Sequence, residues 1–191
     1  SINESGKRVA EIIDNMLTFS RKSDGQFSSR SISELIDKTL ELAYSDYDLK
    51  KQYDFKLVSI NREYDDDLPY VPCESAKIQQ VILNILRNGA QAMQSSHTEN
   101  PTFSIILKKD SNRKMISITI QDNGPGMDEA TRKRVFEPFF TTKDVGVGTG
   151  LGLSVSYFII TENHNGELEV ESRPGEGSRF IIRLPYNPLA N

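Results

Sequence analysis

Two kinds of hydrophobic pattern run along this chain and predict helices and strands. Apolar side chains recur every three or four positions over residues 74–93, which is the clearest helical signal in the sequence. The same period over residues 2–21 predicts a single N-terminal helix. Another helix is predicted to begin near Ser31, where Glu34 completes the spacing of a capping box, and a short one covers residues 153–162.

Alternation of apolar and polar residues predicts the strands. In residues 115–121, three isoleucines alternate with serine, threonine and glutamine, as in a strand with one buried face. The other predicted strands cover residues 55–60, 102–107, 167–172 and 179–184. Helices and strands alternate irregularly, and the hairpins look antiparallel. We therefore predict an α/β fold, a two-layer sandwich in which helices cover one face of a mixed, mostly antiparallel sheet, with a single helix at the N-terminus.

These elements divide the chain into a small unit and a larger one. Residues 1–22 contain the predicted N-terminal helix, which needs a partner helix because one helix cannot bury its own apolar stripe. Residues 23–30 are polar, with a glycine and several serines, and are interpreted as a linker. Residues 31–191 then form the main domain.

Composition and charge narrow the classes of function. The 191 residues are 37% hydrophobic and 26% charged, as in an ordinary globular protein, and the net charge of -4 offers no attraction for nucleic acid or an anionic membrane. The single cysteine, Cys73, excludes an internal disulfide and fits a reducing compartment such as the cytoplasm. No apolar run is long enough to span a bilayer, although a membrane-anchored parent protein stays open. Residues 65–67 are acidic and are interpreted as a solvated turn, since nothing nearby completes a metal-ligand set.

Asn84 and Asn88 lie one turn apart in the predicted helix 74–93, beside its apolar face. Asparagine is a poor helix former because its amide competes for backbone hydrogen bonds, so this pair requires an explanation. The two side-chain oxygens are suited to a hydrated Mg²⁺ that also binds triphosphate oxygens. A pair of exposed asparagines without such a role is an equally weighted alternative.

Three further segments each have an ordinary interpretation beside a functional one. Asp122 opens Asp-Asn-Gly-Pro-Gly-Met after a strand, where it is placed to accept a hydrogen bond from an adenine amine, or where the six residues form a plain turn. Residues 136–143 combine three phenylalanines with two threonines and a lysine, a set suited to phosphate oxygens or simply to packing a loop. Residues 146–154 are rich in glycine and lead into a helix, as in a phosphate-binding loop or a flexible surface loop.

Together these four segments resemble the ATP-binding domain shared by histidine kinases, gyrase-type topoisomerases, heat-shock chaperones and mismatch-repair ATPases. QVILNILRNGAQAM at 80–93 is similar to the asparagine box of that superfamily. DNGPGM at 122–127 and GTGLGLS at 148–154 are similar to its two glycine boxes, and FEPFFTTK at 136–143 to the phenylalanine box between them. The resemblance covers residues 30 to 186 and implies the two-layer fold described above.

Within the superfamily, the histidine kinase branch fits best. Hydrolytic members carry a general-base glutamate one turn before the metal-binding asparagine, and here Asn84 occupies that position. The phenylalanine box is characteristic of histidine kinases, and NMLTFSR at 15–21 resembles the end of the second helix in their dimerisation hairpin. Two departures are Gly89, where alanine is common, and Gln91, where many relatives have a lysine near the phosphates.

The resemblance also implies roles for individual residues. Asn84, Asn88 and Lys143 would be catalytic, with Asn88 bound to Mg²⁺ and Asn84 supporting the metal or the phosphates. Asp122 would hold the adenine amine, and Ser178 stands where relatives place a threonine that contacts adenine through water. The full set implied to bind ATP is Asn84, Arg87, Asn88, Asp122, Gly124, Gly126, Met127, Thr142, Lys143, Gly148, Thr149, Gly150, Leu151, Gly152, Leu153 and Ser178.

The reaction implied is that of a protein-histidine kinase. The γ-phosphoryl group of ATP would pass to a histidine on a dimerisation hairpin, in a homodimeric parent protein, and then to an aspartate of a response regulator receiver domain. The acceptor is expected on a helix before Ser1, because His97 and His164 are interpreted as surface or capping residues. Two alternatives stay open: an ATP-hydrolysing conformational ATPase of the same superfold, and a non-catalytic dimerisation module.

Overall fold

The computed structural model describes residues 27–45, 55–142 and 149–187 of the chain. The predicted N-terminal helix and the first half of the predicted linker, residues 23–26, lie outside these ranges. Among the described residues, no helix combines the length and the apolar character needed to cross a membrane.

Four α-helices are present in the described part of the chain. Their order is α1 (Ile32–Ser45), α2 (Ser75–Ser95), α3 (Glu129–Arg134) and α4 (Gly152–Phe158). A 3₁₀ turn covers Phe55–Leu57, and a π-helical turn, Ile159–Asn163, continues α4. The Ser31 half of the predicted capping box is present, because the backbone N–H of Glu34 donates to Ser31 Oγ at 3.4 Å.

Seven strands within the described ranges form two sheets. They are β1 (Ser28–Arg30), β2 (Ser59–Tyr64), β3 (Val71–Cys73), β4 (Thr102–Asp110), β5 (Met115–Asp122), β6 (Glu167–Ser172) and β7 (Ser178–Pro185). The main sheet has the order β2-β4-β5-β7-β6, and β1 pairs only with β3 in a separate antiparallel ribbon. Within the main sheet, β2 runs parallel to β4 and every other pair is antiparallel.

The hydrophobic core lies between one face of the main sheet and the helices. Ile116, Ile118 and Ile120 of β5 are buried on that face, whereas the serine, threonine and glutamine between them are only partly buried. The buried side of α2 packs on the same core and consists of Ile78, Val81, Ile82, Ile85, Leu86, Gly89, Ala90 and Met93. The prediction of a two-layer α/β fold with a mixed, mostly antiparallel sheet is therefore confirmed.

Local interpretations of individual residues had different outcomes. Residues 65–67 are exposed, as expected of a solvated turn, and His97 is exposed on the surface. His164 was interpreted as a surface or capping residue; it is the C-cap of the π-helical turn, but its side chain is only 4% exposed. Its imidazole packs in the core because both ring nitrogens find backbone partners there.

Candidate functional site

Helix α2 carries the first group of predicted site residues along the edge of its buried face. Asn84, Arg87 and Asn88 are all half-buried there. The side-chain amide of Asn84 donates from Nδ2 to the carbonyl oxygen of Gly152 at 3.1 Å and to Ser156 Oγ at 3.2 Å. Asn84 thus links α2 directly to the first turn of α4.

Asp122, the last residue of β5, is a buried carboxylate held by backbone donors. It is 5% exposed, and its Oδ1 accepts the N–H groups of Gly124 at 2.9 Å and Ser178 at 3.2 Å. Burial raises the pKa of this carboxyl above its ordinary value, because a low-dielectric environment disfavours the charge, and the two N–H donors oppose that shift. Because both bonds use Oδ1, the orientation of the carboxylate is set, and Oδ2 faces Gly89 of α2.

Two glycines allow the loop after β5 to touch the turn between β6 and β7. Gly126 has a φ of +68°, and a β-carbon there would overlap the carbonyl oxygen of Arg173. Gly177 has a φ of +76°, and a β-carbon there would overlap the carbonyl oxygen of Asp122. No other residue type fits either position without moving a backbone segment.

Serine hydroxyls fasten the same two segments. Ser172 Oγ donates to the carbonyl oxygen of Gly177 at 2.9 Å and accepts the N–H of Met127 at 2.8 Å. It also lies 3.0 Å from Ser178 Oγ. Since the only hydroxyl hydrogen of Ser172 is used at Gly177, Ser178 is the donor to Ser172, and its own oxygen keeps capacity to accept.

The described part of the glycine-rich loop is anchored at its start by the phenylalanine segment. The N–H of Phe139 donates to the carbonyl oxygen of Gly150 at 2.9 Å, and Gly150 has a φ of +67°. The N–H of Leu151 lies 3.4 Å from Thr149 Oγ1, and the Leu151 side chain is buried. Leu153 is half-buried and packs against the core.

The phenylalanine segment packs on α4 rather than standing free. The rings of Phe136 and Tyr157 lie 5.3 Å apart, and the guanidinium of Arg134 lies 4.4 Å from the centre of the Phe140 ring. Thr142 is exposed at the end of this segment. Lys143 and Gly148 lie outside the described residues, so their places at the phosphates stay predictions.

Gly89 is a feature of the site whose reason the sequence did not reveal. A β-carbon at Gly89 would lie 2.7 Å from Cε1 of Phe103, which is closer than real β-carbons come to a neighbour, and 3.3 Å from Asp122 Oδ2. The Phe103 ring is buried and stacks on Phe55 at 6.1 Å. The departure from the common alanine therefore accommodates a large ring beside the Asp122 carboxylate, and Gly89 itself was the available signal.

His164 is a second feature that sequence reasoning missed. Its Nε2 accepts the N–H of Glu74, the residue before α2, at 3.1 Å, and its Nδ1 lies 2.8 Å from the carbonyl oxygen of Ile159. These partners assign the neutral tautomer with hydrogen on Nδ1. The Phe27 ring lies 5.0 Å away, and burial lowers the pKa of His164. The contact joins residues 90 positions apart, so no local pattern could indicate it.

The geometry therefore brings several predicted residues together around α2. Gly89 lies against Asp122, and Asn84 bonds to Gly152, so the helix spans from the carboxylate to the glycine-rich loop. Among the described residues, no group of three or more histidine, cysteine or carboxylate side chains is placed to hold a metal. A metal here would need amide oxygens such as that of Asn88, together with oxygens of a ligand.

Comparisons with known proteins show the family to which the chain belongs. Residues 73–188 match the family described as histidine kinase-, DNA gyrase B- and HSP90-like ATPase. Sporulation kinase E of Bacillus subtilis (strain 168) is 36% identical over 184 residues, which are 96% of this chain and 23% of that protein. The signal transduction histidine-protein kinase AtoS of Escherichia coli (strain K12) is 36% identical over 183 residues, which are 96% of this chain and 28% of that protein. This chain thus spans about a quarter of the length of these relatives.

A solved structure of the catalytic domain of histidine kinase ThkA superposes on this chain with a TM-score of 0.69. The two are 28% identical, and the alignment covers 85% of this chain and 97% of that domain. The match along nearly the whole of that domain confirms the fold class predicted from the sequence.

Proposed function

This chain belongs to the histidine kinase-, DNA gyrase B- and HSP90-like ATPase family, and on that premise we propose that it is the ATP-binding catalytic part of a sensor histidine kinase. Both relatives named above are kinases, one of them a signal transduction histidine-protein kinase. The proposed reaction transfers the γ-phosphoryl group of ATP to a histidine nitrogen of a partner hairpin, in the cytoplasm.

The orientation of Asp122 is the observation that carries the proposal. Two backbone N–H groups hold Oδ1, so Oδ2 is the oxygen that can accept a hydrogen bond from an exocyclic amine, as on adenine. Gly124, Gly126 and Met127 follow it in the chain, Ser178 lies opposite, and in this proposal all four border the adenine site. A buried carboxylate at the base would favour adenine over guanine, because the carbonyl oxygen of guanine at the corresponding ring position would be repelled.

The residues on α2 and at α4 fit the phosphate end of the nucleotide. We assign Mg²⁺ to Asn88, with Asn84 beside it, because hard cations prefer oxygen ligands and the phosphates supply the rest. Bound Mg²⁺ would neutralise charge on the phosphate oxygens. Arg87 would assist from the same helix, and Thr142 and Lys143 from the phenylalanine segment. The glycine-rich loop, with Gly148, Thr149, Gly150, Leu151, Gly152 and Leu153, would surround the phosphates.

The phosphoryl transfer breaks the bond between the γ-phosphorus and the bridging oxygen, forms a nitrogen–phosphorus bond, and releases ADP. Neither histidine of the described chain suits the acceptor role, because His164 is buried between backbone partners and His97 lies in a surface turn. We place the acceptor on a dimerisation hairpin, in a homodimer, and the next acceptor on an aspartate of a response regulator. Asn84, which replaces the general-base glutamate of hydrolytic relatives, opposes efficient attack by water.

Calorimetric titration of ATP with Mg²⁺ into the chain and into Asp122→Asn tests the pocket. In Asp122→Asn, the side-chain oxygen must take the place of Oδ1, because two backbone N–H groups donate there. The amide nitrogen then takes the place of Oδ2 and turns its N–H groups towards the adenine amine. Loss of a charged hydrogen bond of about 1.5–3 kcal/mol predicts roughly 10- to 150-fold weaker binding. Asp66→Asn is the matched control, since Asp66 is exposed, and it should bind as the unchanged chain does. Equal affinity of the chain and Asp122→Asn would place the base elsewhere.

A second assay separates the candidate reactions. The chain is mixed with γ-labelled ATP, Mg²⁺ and a separately purified dimerisation hairpin that carries a histidine, and both hairpin labelling and free phosphate are followed. Label on the hairpin with little free phosphate supports the kinase. Steady release of phosphate without labelling would indicate a conformational ATPase instead. Absence of nucleotide binding would indicate a non-catalytic dimerisation module.

A further inference from the structure

Asn84, Gly152 and Ser156 form a closed triangle of hydrogen bonds between α2 and α4. Asn84 Nδ2 lies 3.1 Å from the carbonyl oxygen of Gly152 and 3.2 Å from Ser156 Oγ. Ser156 Oγ in turn donates to the same carbonyl oxygen at 2.8 Å. A side-chain amide has two N–H hydrogens, so this triangle uses the whole donor capacity of Asn84.

The triangle is built into the protein interior. Ser156 is 0% exposed, and a hydroxyl buried without hydrogen bonds is costly, so its partners determine where it lies. Gly152 is the first residue of α4 and the last glycine of the glycine-rich loop. Asn84 is one helical turn before Asn88 on α2. The three bonds therefore set the position of the end of the loop relative to Asn88.

We propose that Asn84 and Ser156 are positioning residues that hold the end of the glycine-rich loop against α2, with Asn84 acting through its donor amide rather than as a metal ligand. The step from this contact to ATP affinity rests on the proposed function. Ser156 does not belong to any of the four sequence motifs, and only the structure places it beside Asn84.

Asn84→Asp separates the two roles of Asn84 with almost no change of shape. A carboxylate is a better ligand for Mg²⁺ than an amide oxygen, so a metal-binding role predicts unchanged or tighter binding of ATP with Mg²⁺. The same carboxylate has no N–H to give, and it would set an anionic oxygen against the carbonyl oxygen of Gly152. A positioning role therefore predicts weaker binding of ATP both with Mg²⁺ and with the metal removed by EDTA.

The experiment compares the chain with Asn84→Asp, Asn84→Ala, Ser156→Ala and the double alanine variant. Calorimetry measures the dissociation constant of ATP with and without Mg²⁺, and urea unfolding checks that each variant is folded. We expect Asn84→Asp to bind at least roughly 10-fold more weakly in both conditions and Ser156→Ala to bind roughly 3- to 10-fold more weakly. In the double alanine variant, the fold-increase in the dissociation constant of ATP should be smaller than the product of the increases in the two single variants, because both changes remove one shared contact.

Thr39→Val is the matched control. Thr39 is 0% exposed on α1, and its hydroxyl donates to the carbonyl oxygen of Leu35 four residues earlier, as that of Ser156 does to Gly152. Thr39→Val removes a buried hydroxyl of the same kind from a helix without proposed site residues. It should lower the free energy of unfolding and leave the affinity for ATP unchanged.

The outcomes distinguish this inference from the proposed function. Asn84→Asp with equal or tighter binding of ATP and Mg²⁺ would overturn the positioning role, as would Ser156→Ala with unchanged affinity. In both cases the proposed ATP pocket would still stand. Failure of the unchanged chain to bind ATP would remove the proposed function and this inference together.

Discussion

Gly177 lies at the contact between the turn after β6 and the end of β5, and Gly177→Ala tests how tightly that contact is packed. The α-carbon of Gly177 faces the backbone of Asp122, and an added β-carbon would lie 2.0 Å from its carbonyl oxygen and 3.0 Å from its carbonyl carbon. Backbone atoms cannot rotate away as a side chain does. The turn or the end of β5 must therefore move.

The magnitude follows from two separable costs. Alanine in the left-handed region, where Gly177 has a φ of +76°, costs about 1–2 kcal/mol. Relief of the overlap adds the cost of an overpacked interior, about 1–3 kcal/mol. The free energy of unfolding should fall by roughly 2–5 kcal/mol in total. The shift would also pull the N–H of Ser178 away from Asp122 Oδ1, so affinity for ATP should fall as well.

Urea unfolding followed by circular dichroism measures the first effect, and calorimetry with ATP and Mg²⁺ the second. Gly175→Ala is the internal control, because Gly175 lies in the same turn with a φ of +81° and nothing lies within 4 Å of its would-be β-carbon. It should lose only the conformational cost of about 1–2 kcal/mol and keep its affinity for ATP. Equal losses of stability in the two variants, with equal affinities, would refute the packing argument.

Two further predictions concern the features that sequence reasoning missed. Gly89→Ala should lower the free energy of unfolding by about 1–3 kcal/mol in a urea titration. Adding Phe103→Leu to the same chain should recover part of that loss, because the smaller side chain leaves space for the new methyl group. If the losses of the two single variants simply add in the double variant, this explanation is wrong. Burial lowers the pKa of His164 below 6.5 in the folded chain, so the unfolded chain binds the proton more readily. The free energy of unfolding should therefore decrease as pH falls through 6.5, where a protonated Nε2 would also oppose the N–H of Glu74. Urea titrations across this pH range should show a smaller dependence in His164→Gln and an unchanged one in His97→Asn.

Long periodic segments of this fold were predictable from the sequence, and pairings between distant segments were not. The helix predicted over 74–93 is Ser75–Ser95, and the strand predicted over 115–121 is Met115–Asp122, because many residues share one buried face. Helix α3 has six residues and none of them is buried, so the sequence contains no apolar pattern that would predict it. The parallel pairing of β2 with β4 joins strands separated by α2, and local sequence does not encode it.

The residues of the candidate site were likewise predictable from the sequence, whereas the contacts between distant residues of the site were not. The order of the four motifs, and the resemblance that it supports, indicated Asp122 and the asparagines of α2; taken alone, these segments also allowed a plain turn and a pair of exposed asparagines. The donor from Ser178 to Asp122 comes from 56 residues away, and the link from Asn84 to Ser156 from 72, so only the folded chain shows them. The roles assigned to these residues in binding ATP remain predictions.

The charged outer edge of the main sheet bears on self-association. Edge strand β6 has Glu167, Glu169 and Glu171 on one side, in ion pairs with Arg179 and Arg183 of β7. Two copies that joined along this edge would set two such rows of carboxylates side by side, with Arg113, Arg179 and Arg183 in each copy as their counter-charges. Unpaired strand edges are templates for aggregation, and charge of this kind opposes it. The protection is electrostatic and should weaken as salt shortens the range of charge interactions.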